Sequence, residues 1–139
     1  MIGRGKKTRT ARVDTVIGKT TSITGDLNFD GSLHVEGTIV GNVKSSSDEN
    51  STLVLDEDGM IEGEIDVANI IINGTVLGNI HSRGHAELMA KARIKGTVYY
   101  NLIEMAVGSE VNGNLVHSQE EQLGSVEYLD TGSNSETKS

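Results

Sequence analysis

Between Ile23 and Val43 every second residue is apolar or glycine: Ile23, Gly25, Leu27, Phe29, Gly31, Leu33, Val35, Gly37, Ile39, Gly41 and Val43. The residues between them are polar, with Val40 the single exception. A strand points alternate side chains to opposite faces, so this is a strand pattern with one dry face and one wet face. It is too long for one strand. At about 3.3 Å per residue the stretch would run roughly 70 Å, whereas strands usually have about 5–6 residues. The chain must turn several times while keeping its inside–outside sense. Gly25, Gly31, Gly37 and Gly41 are where it can bend, since a residue without Cβ tolerates a corner and leaves room inside it. An alternating ribbon folded at glycine corners is a β-solenoid.

The unit apolar–x–Gly–polar–apolar recurs along the chain. It appears as Ile23–Leu27, Ile39–Val43, Ile61–Ile65, Val76–Ile80 and Val111–Leu115, and Val98–Leu102 joins the series if Tyr100 stands in the glycine place. The central residues are 13 to 22 positions apart, a period that suits one winding of a β-helix and is too short for a helical repeat. The expectation is an all-β, single-domain parallel β-helix of about six windings. The apolar set changes parity between Val67 and Ile70 and between Leu102 and Ile103, slips that a corner or bulge absorbs. The stretch SSSDENS (Ser45–Ser51) reads as a flexible insertion. Composition agrees: 17 glycines and 3% aromatics suit a narrow core of Val, Ile and Leu. The absence of proline leaves every backbone N–H available to a neighbouring winding.

Charge divides the chain into three. Residues 1–12 carry +5, residues 13–115 carry −9 and residues 116–139 carry −4, which gives the overall −8. The reading is a flexible basic tail over 1–14, a core over 15–116 and a flexible acidic tail over 117–139. Within the last, Gln119–Leu129 reads as a short amphipathic piece and Gly132–Ser139 as disorder. A basic arm on an acidic body points the arm at something anionic. Met1 and Ile2 with Arg4, Lys6, Lys7, Arg9 and Arg12 suit an anionic bilayer surface, at about 1 kcal/mol per basic residue. A solvated terminus without a ligand is the equal alternative. Nucleic acid fits less well, because aromatics for stacking are missing from the arm and the body would repel phosphates. With no cysteine, no secretory signal and no apolar run near the ~18 residues of a membrane span, the chain is expected to be cytoplasmic.

Candidate chemistry is sparse. His81, His85 and Glu87 lie close in sequence, but His81-x3-His85 has zinc spacing only on a helix. On one strand the two would be about 13 Å apart. Asp56-Glu57-Asp58-Gly59 lacks the alternating ligands and distal glutamate of a calcium loop and reads as a charged corner. No metal, cofactor or catalytic residue is expected. Polysaccharide-acting β-helices set clustered carboxylates in a long cleft, whereas the acids here are scattered at one or two per winding. No strict six-residue period of the hexapeptide acyltransferases is present, and no glycine-rich nucleotide loop opens a helix. A monomeric β-solenoid adaptor or adhesin is the main alternative to a structural polymer.

Val16-Ile17-Gly18, leading into GDLNFDGSLHVEGTIVGNV (Gly25–Val43), INGTVLGNI (Ile72–Ile80) and YYNLIEMAVGSEVNGNL (Tyr99–Leu115), resembles the bactofilins, polymer-forming cytoskeletal proteins of bacteria. The resemblance covers about Thr15 to Val116. It implies a right-handed β-helical core between flexible tails, assembling end to end without nucleotide into filaments that lack polarity. Some members of the family reach the inner membrane through a short N-terminal segment, a place that Met1, Ile2 and the basic cluster would fill here, and the resemblance implies roles in cell shape and in recruiting cell-wall or polar proteins. Family members often carry a C-terminal aromatic that serves end contacts; here Tyr99, Tyr100 or an aliphatic such as Leu115 would take its place. Physics points the same way, because the terminal windings of a solenoid expose unpaired backbone groups and apolar side chains unless a cap hides them. No convincing cap precedes Ile23. The expected polymerisation surfaces are Ile23, Leu27 and Phe29 at one end and Val111 and Leu115 at the other.

Overall fold

Alternation in runs of three or four residues, broken by corners, builds three-sided windings. The computed structural model describes residues 15–46 and 50–118, which form a β-solenoid of about six turns. The first winding holds β1 (Thr15–Ile17), β2 (Ser22–Thr24) and β3 (Leu27–Phe29), and the second holds β4 (Ser32–Val35), β5 (Thr38–Val40) and β6 (Val43–Ser45). The third holds β7 (Thr52–Leu55), β8 (Met60–Glu62) and β9 (Ile65–Val67). The fourth holds β10 (Asn69–Ile72), β11 (Thr75–Leu77) and β12 (Ile80–Ser82). In the fifth, β13 (His85–Leu88) is followed by one long strand, β14 (Arg93–Tyr100), and in the sixth β15 (Leu102–Met105) is followed by β16 (Glu110–His117).

Each strand pairs in parallel with its counterpart one winding on. One face is the sheet β1-β4-β7-β10-β13-β15. The other two faces, β2-β5-β8-β11 and β3-β6-β9-β12, merge because β14 runs through the corner between them and β16 pairs along its whole length. The register stacks like on like. Ile23, Ile39, Ile61, Val76, Ile94 and Val111 form one inward column. Leu27, Val43, Ile65, Ile80, Val98 and Leu115 form another. The interior members of both columns are 0% exposed, each contributing about 1.5–3 kcal/mol by burial.

The repeat differs from the sequence reading at one winding. The fifth corner is Gly96, within Ile94-Lys95-Gly96-Thr97-Val98, and Tyr100 lies inward at the end of β14. Gly96 has φ 148°, and a Cβ built there would collide with the carbonyl oxygen of Gly78. A Cβ on Gly113 would in turn collide with the carbonyl of Gly96. No side chain fits this ladder of stacked corners. With Gly96 in place, the later windings lose their apparent long and short spacing, and only the Ser45–Ser51 stretch remains as an insertion. That stretch is anchored at both ends rather than flexible throughout. Ser45 ends β6, Ser51 is fully buried, and the Ser51 hydroxyl donates to Ser45 Oγ at 2.8 Å; residues 47–49 lie outside the described residues.

The polar residue after three of the corner glycines, Gly25, Gly41 and Gly78, also has a structural role. Asn42 N–H donates to Asp26 Oδ1, Glu64 N–H to Asn42 Oδ1 and Thr97 N–H to Asn79 Oδ1, each at 3.0 Å. These side chains satisfy amides that the corner removes from the regular ladder. The parity slip after Val67 is a corner too, where Ala68 turns inward and is 2% exposed.

Candidate self-assembly surfaces

The inward columns end in side chains with no further described winding against them. At the C-terminal end Leu115 stacks on Val98 and is 43% exposed, while Val98 is 0% exposed. Val111 stacks on Ile94 and is partly buried. Ile103 pairs with Ala86, and Met105, 44% exposed, pairs with the fully buried Leu88. Sequence reasoning missed Ile103 and Met105. Their signal was the parity change at Leu102, which is exposed on the outer side of β15 while Ile103 packs against the core. Val107, in the corner before β16, is almost fully exposed.

At the opposite end Ile23, Leu27 and Phe29 are partly buried against the core and begin their columns. Ile17 beside them is buried. The five residues expected at the polymer ends thus lie in the two terminal windings, three in the first and two in the last. Tyr100 is packed against the core beneath the His117 ring, with centroids 5.4 Å apart. Tyr99 points outward and stacks on His81 at 4.5 Å. Neither tyrosine takes the terminal position, so the last layer is aliphatic apart from His117. The basic arm, Met1, Ile2, Arg4, Lys6, Lys7, Arg9 and Arg12, lies outside the described residues, as do the segments Gln119–Leu129 and Gly132–Ser139.

The side walls carry paired charges. Arg83 bonds Asp66, Ser45 Oγ and the Ser46 carbonyl, tying three windings together. Lys19 pairs with Asp58 at 3.3 Å and Lys91 with Glu57 at 3.2 Å, so the acidic stretch after β7 is a charged corner in contact with its neighbours. His81 and His85 lie on different strands, β12 and β13, on either side of the Arg83–Gly84 corner; the one-strand separation does not apply to them. A shallow groove on the β12 side is lined by Asp66, His81, Arg83, Tyr99 and Asn101. Asp66 is the one carboxylate among its described lining residues and is bonded to Arg83, so the groove offers no second carboxylate for acid–base hydrolysis.

Comparison with known proteins agrees with this architecture. The family model described as "Bactofilin: Polymer-forming cytoskeletal" matches residues 15–116. The chain is similar to Bactofilin BacO of Myxococcus xanthus (strain DK1622), 30% identical over 106 residues that cover 76% of this chain and 81% of that protein. It is also similar to Bactofilin BacP of the same organism, 28% identical over 102 residues, 73% of this chain but 41% of that longer protein. No solved structure matches. A chain that this model matches over residues 15–116, well over half of its length, belongs to the bactofilin family, a structural family of polymer-forming cytoskeletal proteins.

Proposed function

We propose that this chain is a cytoskeletal scaffold that assembles end to end, without nucleotide, into non-polar filaments. One observation carries the reading: the inward columns are fully buried through the central windings and open at the last, where Leu115 and Met105 are exposed. Burying these side chains against the same end of a second copy covers the open columns, and a symmetric junction between like ends gives a filament without polarity. Membership of a polymer-forming family supports the same conclusion. The basic arm attracts the filament to anionic lipid at the inner face of the cytoplasmic membrane, where a long scaffold organises cell-wall or polar proteins in support of cell shape.

Negative-stain microscopy and pelleting of the purified chain in plain buffer test the proposal. Filaments that sediment are expected. A protein that stays monomeric at high concentration would instead identify a soluble adaptor.

A further inference from the structure

We propose that His34, Glu36 and Asp56 form a binding site for a divalent first-row transition cation, for which zinc is the probe. His34 is an outward residue of β4, and Glu36 is the next outward residue, at the corner that follows. Asp56 follows β7 in the next winding. Because Val35 pairs with Leu55, parallel register sets Asp56 directly beside Glu36. One donor atom from each of the three side chains lies within 4.8 Å of the other two, and His34 Nε2 is 3.8 Å from Glu36 Oε2. All three side chains are half-buried, open to solvent on one side.

Two carboxylates directly opposite on adjacent strands repel. Elsewhere at this corner the acids have cationic partners, Lys19 for Asp58 and Lys91 for Glu57. Among the described residues no lysine or arginine pairs with Glu36 or Asp56; the group beside Glu36 is the His34 imidazole, Nε2 to Oε2 3.8 Å. A cation between the carboxylates converts the repulsion into two favourable contacts, and the histidine decides its class. One nitrogen and two oxygens suit zinc and its neighbours, which bind imidazole and carboxylate at about 2.0–2.2 Å and leave further positions to water. Calcium needs about 6–8 oxygens, and magnesium a near-ideal octahedron, which this set does not supply. The site bridges the second and third windings on a side wall, away from both ends, so occupancy ties those windings together and leaves the end surfaces free.

The test is calorimetric titration of zinc chloride into the untagged, chelator-treated full chain, with thermal unfolding measured in parallel. One equivalent should bind with micromolar affinity and raise the unfolding temperature. His34→Ala, Glu36→Gln and Asp56→Asn should each weaken that affinity at least tenfold and abolish the thermal shift. Their circular dichroism should match the parent, because all three side chains point outward. His81→Ala and His85→Ala should bind as the parent does, and a large excess of magnesium should not compete. Three results would overturn the site: no saturable binding, affinity unchanged in His34→Ala, or loss of the equivalent in His81→Ala or His85→Ala. Competition by magnesium at similar concentration would overturn the transition-metal class.

Discussion

The corner glycines and the end leucine make opposite demands on a single position. At Gly96 a side chain meets both an unfavourable φ and the carbonyl of Gly78. Backbone strain alone costs about 1–3 kcal/mol, and relieving the collision requires two windings to separate. Gly96→Ala should therefore destabilise the fold by about 3 kcal/mol, lowering the melting temperature by more than about 10 °C for a core of this size. The measurement belongs in a non-assembling background so that polymer contacts do not mask it. Leu115→Arg supplies that background. Leu115 is partly exposed at the open end, so an arginine there reaches solvent within a single chain. Between two stacked ends it is a charge stripped of water, costing several kcal/mol. A micromolar to nanomolar junction is worth about 8–12 kcal/mol and cannot absorb that cost from both sides of a symmetric contact. Leu115→Arg should give monomers or short oligomers with a native β-type circular dichroism spectrum, read by sedimentation. Val76→Arg, in a fully buried column of the fourth winding, should unfold the core instead. Long filaments from Leu115→Arg would move the contact to the end at Ile23, Leu27 and Phe29.

At the scale of elements, the solenoid is a stack of near-identical layers, and its elements divide into those that carry the stack and those that decorate it. Strand pairing links each inner winding only to its two neighbours, and the side chains of Arg83, Lys19 and Lys91 reach one winding further, so stability is distributed along the axis. The basic arm is a decoration: residues 2–12 precede the first described strand, which starts at Thr15. Deleting them removes five positive charges and none of the described strands. Filaments should persist, while co-sedimentation with anionic vesicles falls; the parent's vesicle binding should weaken as salt rises. Equal vesicle binding by the truncated chain would show that the arm is not the membrane contact.

For the whole molecule the expected behaviour is polymerisation driven by surface burial alone. The described glycines serve corners, and none opens a helix that could cradle a phosphate. Assembly should proceed equally with or without ATP, GTP and magnesium, measured by light scattering after dialysis against a chelator. Filaments that form only on nucleotide addition would contradict the proposal. Zinc should leave assembly unchanged and shift thermal unfolding, because the His34, Glu36 and Asp56 cluster is on a side wall.

The sequence by itself determined the β-solenoid, its number of windings and most of its inward residues. Period-two alternation and recurring glycines are local signals, and each winding repeats the same local problem. Leu115 and Val111 were legible as last-winding residues because they close the final repeat. The tertiary structure decided the rest, for reasons that lie in register. Tyr100 matches the motif in apolar spacing, yet only stacking on Gly78 and Gly113 identifies Gly96 as the corner that must lack a side chain. Ile103 and Met105 join the end surface because β15 pairs with β13, a relation across a winding that no local pattern states. Asp56 lies twenty positions from Glu36 in the chain and beside it in space, since the Ser45–Ser51 insertion lengthens the path without altering the pairing of β4 with β7. Side-chain alternation is written in neighbouring residues, whereas which layers meet is set by hydrogen bonds between distant ones.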